Sequence, residues 1–414
     1  MPTMAPLSAL PISQILRSYL ITTMSSHPTL FSASTGLLRQ MLESPNPLLN
    51  LRNPLMRAVL WETFYKQFCA GENQAQISQR CEEIRRLGYS GVILEYAKEV
   101  LKEGKTDELQ DVATWRKGML DTISIAAEGD FCALKWSGMG PAAMRRMAEE
   151  KAPSKEMDEA MHAITSAAAA KNISLLPSAE ETWNLNGYQD WTLRMQRAYN
   201  TGGKSVVYNT YQMYLKEMPG RIAKHLEIAK AEGFTLGAKL VRGAYLGSEK
   251  RSLIHDTIQD THNAYDSAAS ALVHRHYNSF LRPTTSGQDK MQDSINVMIA
   301  SHNAVTVEKA QELRRQQKKR GEELTPLAFA QLQGMADEVS CTLLAAAKAN
   351  KDDPNAVQER VFKCTPWGSM QECLNYLLRR AAENKDAAGR TWETRKAMGA
   401  EIGRRMRASF GMKA

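Results

Sequence analysis

The amino-acid sequence predicts an α/β protein in which eight parallel strands and their helices close a (β/α)8 barrel behind an N-terminal helical arm. From about residue 86 onward, short strand-like runs alternate with longer helical patterns. Eight such runs occur, which is the number that closes a parallel barrel. The chain has no GxGxxG fingerprint, so an open dinucleotide-binding sheet is disfavoured.

The stretch that precedes the barrel is predicted to be helical. Its patterns have helical period, no strand-like alternation occurs in it, and Pro28, Pro45, Pro47 and Pro54 interrupt it. The sequence therefore predicts three parts of the chain. These are a helical arm at residues 1–85, a barrel at residues 86–400 and a C-terminal tail at residues 401–414.

The eight strand predictions are short runs separated by longer helical patterns. They are Gly91–Ala97, Phe131–Trp136, Ile173–Glu180, Ser205–Tyr211, Leu236–Arg242, Ile295–His302, Phe329–Met335 and Arg360–Pro366. The connection between the fifth and sixth strands is unusually long. Within it, Asn278–Gln292 has the composition of a loop and is expected to be mobile.

Composition excludes several classes of protein. The net charge of +8 comes from basic residues scattered along the chain, and the one cluster, Arg314–Arg320, has no interleaved aromatics, so nucleic-acid binding is not expected. The six cysteines form no CxxC pair and show no metal-ligand spacing with the eight histidines, so we expect reduced thiols and no metal. No apolar run approaches the roughly 18 residues of a membrane span, so membrane contact is expected to be peripheral.

The N-terminal segment has two interpretations. Residues Met1 to Met41 contain no acidic residue, many Ser and Thr, and the basic residues Arg17 and Arg39, a composition typical of a mitochondrial presequence. Leu7–Met24 and Leu37–Glu43 are alternatively amphipathic helices of the mature fold.

Polar residues gather at the carboxyl ends of the predicted strands, where barrel enzymes place their catalytic groups. Lys135, in the buried strand FCALKW, either reaches water or faces a cavity whose occupant matches its charge. In KLVRGAY, residues 239–245, two cations and Gly243 suit a phosphate or a flavin edge, with a cationic surface loop as the alternative. Other polar strand ends carry Glu180, Asn209, Lys239, Arg242, His302, Asn303 and Gln333.

A helical segment, YLLRRAAEN, places Tyr376 beside both Arg379 and Arg380. Paired guanidinium groups at a barrel mouth bind a carboxylate well, because each can donate two parallel hydrogen bonds. The alternative is a surface helix with an Arg–Glu ion pair. A cationic site with few carboxylates and no Ser-His-Asp order favours chemistry performed by a cofactor.

Six segments together resemble, in order, the motifs of the proline dehydrogenase family, and the match is close to its fungal members. The resemblance covers roughly residues 85–395, and the arm is also similar to theirs. The segments are ALKWSGMG, YNTYQMYLK, KLVRGAY, ASHN, AQLQGMAD and TPWGSMQECLNYLLRRAAEN.

The resemblance implies a distorted, TIM-like (β/α)8 barrel that holds FAD and oxidises L-proline to 1-pyrroline-5-carboxylate. It also implies a mitochondrial enzyme that passes electrons to a quinone and contacts the inner membrane peripherally. The residues that it implies at the substrate are Lys135, Tyr245, Leu332, Cys364, Tyr376, Arg379 and Arg380. Those that it implies at the cofactor are Asn209, Lys239, Val241, Gly243, Ala244, Ser301, His302, Asn303 and Glu383.

Three positions depart from the family's pattern. Lys239 stands where many bacterial members have Arg, Ser178 where many members have Asp, and Cys364 where they have a substrate-contacting Tyr. The last two changes enlarge or depolarise the pocket, so a hydroxyproline dehydrogenase is an alternative function. A Schiff-base aldolase that uses Lys135 or Lys239, and a binding scaffold without activity, are the alternatives from other classes.

Overall fold

A computed structural model of the chain describes residues 6–97, 107–284, 290–383 and 388–411, without the side chains of residues 382–391. The strands are β1 (Gly91–Tyr96), β2 (Phe131–Leu134), β3 (Ser174–Pro177), β4 (Asn209–Gln212), β5 (Leu236–Val241), β6 (Ile295–Ala300), β7 (Leu327–Leu332) and β8 (Arg360–Trp367). All pairings are parallel, in the order β3-β2-β1-β8-β7-β6-β5-β4. The predicted (β/α)8 barrel is confirmed.

Helices surround the barrel and form the arm. Those before β1 are α1 (Ile12–Ser25), α2 (Pro28–Glu43), α3 (Pro54–Leu60), α4 (Lys66–Phe68) and α5 (Gln74–Arg86). Those around the barrel are α6 (Glu108–Ile125), α7 (Pro141–Ala148), α8 (Lys155–Ala170), α9 (Leu185–Tyr199), α10 (Met218–Glu232), α11 (Ile258–His274), α12 (Ala304–Lys319) and α13 (Asp337–Ala349). After β8 come α14 (Met370–Glu383) and α15 (Ala388–Ser409).

The arm is helical, and its prolines mark helix starts. Pro28 and Pro54 occupy the first turns of α2 and α3, where a missing N–H has no cost. Helix α1 packs along α15, and α2 packs on α14, so the arm is joined to the helices that follow the barrel. Helix α15 continues through residue 401, where the C-terminal tail was expected to begin.

The lengths of the helices and the connection between β5 and β6 can be compared with what the sequence predicts. No helix within the described ranges is long and apolar enough to cross a membrane. In the connection between β5 and β6, helix α11 precedes the loop expected at Asn278–Gln292. Residues 285–289 of that loop lie outside the described part of the chain.

Alternating side chains along the strands fill the barrel. Ile93, Phe131, Tyr208, Met298 and Phe362 are buried together in one interior cluster. Because successive side chains of a strand point to opposite faces, every second residue from these positions also faces inward. The interior positions nearest the carboxyl ends of the strands therefore carry the candidate site.

The backbone closes the barrel weakly between β3 and β4. A single bridge pairs Leu175 with Val207. The Leu175 N–H donates to Val206 O at 2.6 Å, and the Tyr208 N–H donates to Leu175 O at 3.0 Å. Pro177, at the end of β3, lacks the N–H that a longer ladder would need. The gap between β3 and β4 is named the seam below.

Side chains replace part of the missing ladder at the seam. Ser174 Oγ donates to Ser205 O at 2.8 Å, and Thr210 Oγ1 donates to Pro177 O at 2.6 Å. The buried amide of Asn200 accepts the N–H groups of Val206 and Val207, at 2.9 and 2.8 Å. These contacts explain why β4 begins at Asn209, four residues later than the predicted start.

On the outer side of the barrel, β4 contacts the buried His225 of α10. Tyr211 Oη lies 2.9 Å from His225 Nδ1, and Asn209 Nδ2 lies 3.5 Å from the same atom. Burial, together with the nearby cations Arg221 and Lys224, lowers the pKa of His225 to about 3. The imidazole is therefore neutral in the folded protein at neutral pH.

This neutral histidine predicts a loss of stability in mild acid. Its pKa is ~6.5 in an unfolded chain, so below that pH the unfolded state binds a proton that the folded state does not. The contribution of neutral His225 to the free energy of unfolding is therefore present above pH ~6.5 and is lost as the pH falls below it. We expect the protein to lose about 2 kcal/mol of stability between pH 7 and pH 5. Urea unfolding of wild type and His225→Gln at both pH values measures this; equal pH dependence in the two proteins would contradict it.

Candidate active site

Inward-facing residues at the carboxyl ends of five strands form one cluster. It contains Glu95 of β1, Lys135 just beyond β2, Lys239 of β5, Leu332 of β7 and Cys364 of β8. Helix α14 adds Tyr376 and Arg380, which act electrostatically on members of the cluster. The structure thus brings together most of the residues that the resemblance implies at the substrate.

Lys135 is enclosed and charged. Its Nζ donates to Tyr245 Oη at 2.9 Å, and the same hydroxyl donates to Ala179 O at 2.9 Å. Burial by itself lowers the pKa of Lys135, but the Glu180 carboxylate and the Tyr245 hydroxyl outweigh burial, and the net pKa is raised. The ammonium form is therefore stabilised, which is the opposite of what a Schiff-base nucleophile needs.

A network fixes the loops that surround Lys135. Ser137 Oγ donates to the buried Glu180 carboxylate at 2.6 Å. The fully buried Gln212 donates from Nε2 to Glu180 O at 2.7 Å and accepts at Oε1 from the Ala244 N–H at 3.0 Å. Gln212 is not among the predicted site residues, although it lies in the quoted motif YNTYQMYLK. It joins the loops after β3 and β5 and so holds Tyr245 in place.

Lys239 is a second enclosed cation. Burial lowers its pKa, opposed by Cys364 and Glu95, while Arg380 and Lys135 lower the pKa further. Within the described residues, Lys239 Nζ makes no hydrogen bond. The nearby cations Arg380 and Lys135 also disfavour its charged form. An anionic or strongly hydrogen-bonding group in the barrel mouth would stabilise this ammonium.

Glu95 is a site residue that was not predicted. Tyr376 Oη donates to its Oε2 at 2.9 Å, and Cys364 Sγ lies 3.9 Å from the same oxygen. Burial and Glu95 raise the pKa of Tyr376, and burial raises that of Cys364 to about 12, so both groups stay protonated. The available signal was the position of Glu95 at the end of the first strand, in GVILEY.

Both arginines of α14 lie against Tyr376. The guanidinium carbon of Arg380 is 5.3 Å from the Tyr376 ring centre, and that of Arg379 is 5.7 Å from it. Arg380 also acts on Lys135, Lys239 and Cys364, since it lowers the pKa of each. The helical spacing predicted from the sequence therefore places both guanidinium groups beside the same aromatic ring.

The residues predicted around β5 and β6 form a hydrogen-bonded corner. Arg242 donates to Ser301 Oγ at 2.7 Å and to Thr306 Oγ1 at 2.8 Å. Asn303 caps helix α12 through its Oδ1, which accepts the Thr306 N–H at 2.9 Å. His302 Nε2 accepts the Leu332 N–H at 3.1 Å, so His302 is held beside the end of β7.

The remaining predicted residues differ in where they lie. Val241 ends β5, and the ring of Tyr214 would be 2.5 Å from a Cβ on Gly243, so this glycine makes room for an aromatic ring. Asn209 shares the outer side of β4 with Tyr211, and the structure does not bring it to the cluster. The side chain of Glu383 lies outside the described residues.

The cations of the cluster would suit an anionic group, and a cofactor such as FAD would supply one. Lys135, Lys239 and Arg380 carry like charges that repel one another. Arg380 and Lys135 each lower the pKa of Lys239 for this reason. Negative charge on a flavin or on a bound carboxylate would offset that repulsion. Among the described residues, no group of His, Cys, Asp and Glu could hold a metal ion.

Comparison with known proteins identifies similar sequences. A family model described as proline dehydrogenase matches residues 77–393. The chain is 29% identical over 400 residues to the probable mitochondrial proline dehydrogenase of Schizosaccharomyces pombe, covering 83% of this chain and 79% of that protein. It is 30% identical over 254 residues to a hydroxyproline dehydrogenase of Bos taurus, covering 59% of this chain and 50% of that one.

Similar solved structures support the fold. A crystal structure of proline utilization A from Bdellovibrio bacteriovorus, inactivated by N-propargylglycine, matches with a TM-score of 0.64 at 14% identity. The match covers 87% of this chain and 37% of that chain. The chain likewise spans 64% of the Dictyostelium discoideum proline dehydrogenase 1 and 42% of the human one.

Proposed function

The chain belongs to the proline dehydrogenase family, and from this we propose that it oxidises L-proline to 1-pyrroline-5-carboxylate with FAD and passes the electrons to a quinone. The observation that carries the proposal is the pair of arginines that α14 holds against Tyr376, beside the cationic barrel mouth. Proline presents one carboxylate, and two guanidinium forks match it in charge and in geometry.

The protein's contribution to the reaction is positioning and electrostatics. Arg379 and Arg380 hold the carboxylate, while Tyr376 and Leu332 wall the pocket. Lys135, Lys239 and Arg380 make the site cationic, which favours an unprotonated ring nitrogen on the substrate. Glu95 partly offsets this charge and orients Tyr376 through the 2.9 Å hydrogen bond.

FAD supplies the hydride acceptor when it is bound. Lys239, His302 and Val241, at the ends of β5 and β6, are the residues of this chain proposed to hold it. Ser301 is fixed by Arg242 and positions the same corner. Gln212 keeps Ala244 in place, so the loop after β5 is held before the cofactor binds.

The proposal extends to the location of the protein and to the division of its chain. The relative from Schizosaccharomyces pombe is named mitochondrial, and we propose the mitochondrion for this chain. Peripheral contact with the inner membrane is proposed from the family resemblance alone. The helical arm at residues 1–85, the catalytic barrel at 86–400 and the tail at 401–414 remain the proposed division.

The test is an absorbance spectrum of the protein after reconstitution with FAD, followed by anaerobic L-proline. We expect a band near ~450 nm from the flavin, and bleaching of that band by proline. A flavin band that proline leaves unchanged would overturn the substrate. Absence of a band, with an adduct on Lys239 trapped by borohydride, would instead support the aldolase alternative.

The environment of Cys364 favours a second candidate, hydroxyproline oxidation. Cys364 faces the barrel interior two residues beyond Phe362, and its small side chain stands where the family has a substrate-contacting Tyr. Ser178, beyond the end of β3, is likewise smaller than the Asp that many members carry. The space left by both residues suits a ring hydroxyl.

Replacing Cys364 with Tyr should therefore make the enzyme more selective for proline. We expect the ratio of kcat/KM for L-proline to that for trans-4-hydroxy-L-proline to rise at least ~10-fold, since a phenol would fill the space of the ring hydroxyl. Cys364→Ala keeps the space and should leave the ratio unchanged. An unchanged ratio in the tyrosine variant would contradict the assignment.

A further inference from the structure

Side chains near the end of the arm contact the start of α14, the helix that carries the two arginines. Glu72 Oε1 accepts the N–H of Met370, the first residue of α14, at 2.7 Å. Tyr65 Oη donates to Gly368 O, just before that helix, at 2.7 Å. Because these partners are far apart in the sequence, both contacts tie the start of α14 to a distant part of the chain.

The backbone adds two contacts between the same segments. The Ala70 N–H donates to Pro366 O at 2.8 Å, and the Gly368 N–H donates to Gly71 O at 3.1 Å. Helix α14 follows β8 after only Gly368 and Ser369, and Gly368 has a φ of +145°, which favours glycine. A short connection that contains a glycine can pivot, so contacts from outside it fix the direction of the helix. Residues 65–72 are named the clasp below.

Helix α14 satisfies only part of its own first turn. Ser369 and Glu372 form a capping box, in which Ser369 Oγ accepts the Glu372 N–H at 3.3 Å and Glu372 Oε2 accepts the Ser369 N–H at 2.9 Å. The box leaves the N–H of Met370 without an acceptor inside the helix. Met370 is only 1% exposed, and a buried N–H requires an acceptor. Glu72 of the clasp supplies it.

The clasp also packs against the face of α14 that leads to the site. Tyr65 and Cys69 share a buried apolar cluster with Cys373 and Tyr376 of α14. Tyr376 is the ring against which both guanidinium groups lie. If α14 tilted by roughly 5° about its first turn, Arg379 would move by about 1 Å, since a helix rises ~1.5 Å per residue. A displacement of that size is enough to impair a positioned substrate contact.

We propose that the clasp sets the orientation of α14 and that Glu72 is a positioning residue for the carboxylate-binding arginines. Where it concerns proline, the inference rests on the proposed function. Without the Glu72 acceptor, α14 would spend part of the time in other orientations. Proline would bind only the fraction of molecules with both arginines in place, so the KM would rise. The kcat would change little, because saturating proline selects the competent orientation.

The experiment compares two Glu72 variants in an Arg57→Met background. Arg57 forms an ion pair with the other carboxylate oxygen of Glu72, so its removal lets a glutamine turn its carbonyl oxygen to Met370. Glu72→Gln in this background should keep the wild-type KM for L-proline. Glu72→Leu should raise the KM at least ~5-fold, about the effect of one lost helix cap, and leave kcat within about 2-fold. Equal KM values in the two variants would overturn the proposal.

Hydrogen exchange of the reconstituted holoenzyme gives a readout that does not depend on activity. The amides of residues 370–376 should exchange faster with Glu72→Leu than with Glu72→Gln, and equal exchange would also overturn the proposal. Asp107→Ala is the control for a general loss of stability, since Asp107 caps α6 by accepting the Leu109 N–H at 3.0 Å. This control should change neither the KM nor the exchange of α14. If wild type does not oxidise proline but the exchange of α14 depends on Glu72, the clasp stands and only the proposed function fails.

Discussion

Replacing Arg380 with Met should raise the KM for L-proline by about 10- to 100-fold, because one charge-assisted hydrogen bond contributes roughly 1.5 to 3 kcal/mol. Arg380 is expected to have the larger effect of the pair. It acts on Lys135, Lys239 and Cys364 as well as on Tyr376. Met preserves most of the side-chain length, so the loss reports the guanidinium group.

Arg379→Met is the companion variant, with an expected KM increase of at least ~10-fold. Steady-state kinetics with a soluble electron acceptor measures both variants. Arg315→Met, in an exposed ion pair with Glu312 on α12, is the control and should leave KM unchanged. Wild-type KM values in both site variants would remove the carboxylate-binding assignment.

Replacing Lys363 with Met should destabilise the protein by about 3–5 kcal/mol, the usual effect of leaving a buried charge without its partner. Lys363 points outward from β8 toward α13, and its Nζ lies 2.8 Å from Asp337 Oδ1, with both side chains at most 4% exposed. The contact is an ion pair without regular hydrogen-bond geometry at that oxygen. Gln14 of α1 donates to the other oxygen, Oδ2, at 3.0 Å, so the loss should also loosen the arm.

Urea unfolding followed by circular dichroism measures this effect. The control is Lys309→Met, which breaks an exposed pair with Asp266 and should cost roughly 1 kcal/mol or less. In the double variant Lys363→Met/Asp337→Leu, no carboxylate is left unpaired, so much of the loss should be regained. If Lys363→Met is no more destabilising than Lys309→Met, the ion pair does not stabilise the fold.

The strands and their order were predictable because the signal is local. A short, β-branched apolar run such as INVMIAS is typical of a central strand, and eight such runs separated by helices leave few topologies. The cations at the barrel mouth were predictable from YLLRRAAEN and KLVRGAY because each signal likewise lies within one segment of the sequence. The ion pair of Lys363 with Asp337 was not predictable, since its partners belong to different elements.

The face of a strand on which a side chain lies was harder to predict. Asn209 and Gln212 occupy the same short strand, yet Asn209 faces His225 outside, while Gln212 joins two loops of the site. A change of one residue in register inverts every side chain of a strand. In YNTYQMYLK the register is set by the contacts of Asn200 with the preceding backbone, which lie outside the strand itself.

The seam between β3 and β4 gives the barrel a preferred line of local opening. Two backbone hydrogen bonds and two serine or threonine hydroxyls span it, whereas β1 and β8 pair over six residues. In native-state hydrogen exchange, amides at such a boundary exchange through small openings rather than through global unfolding. The barrel should therefore unfold as one continuous eight-stranded sheet, with β3 and β4 as its two edge strands. These edges should separate before the other strand pairs do.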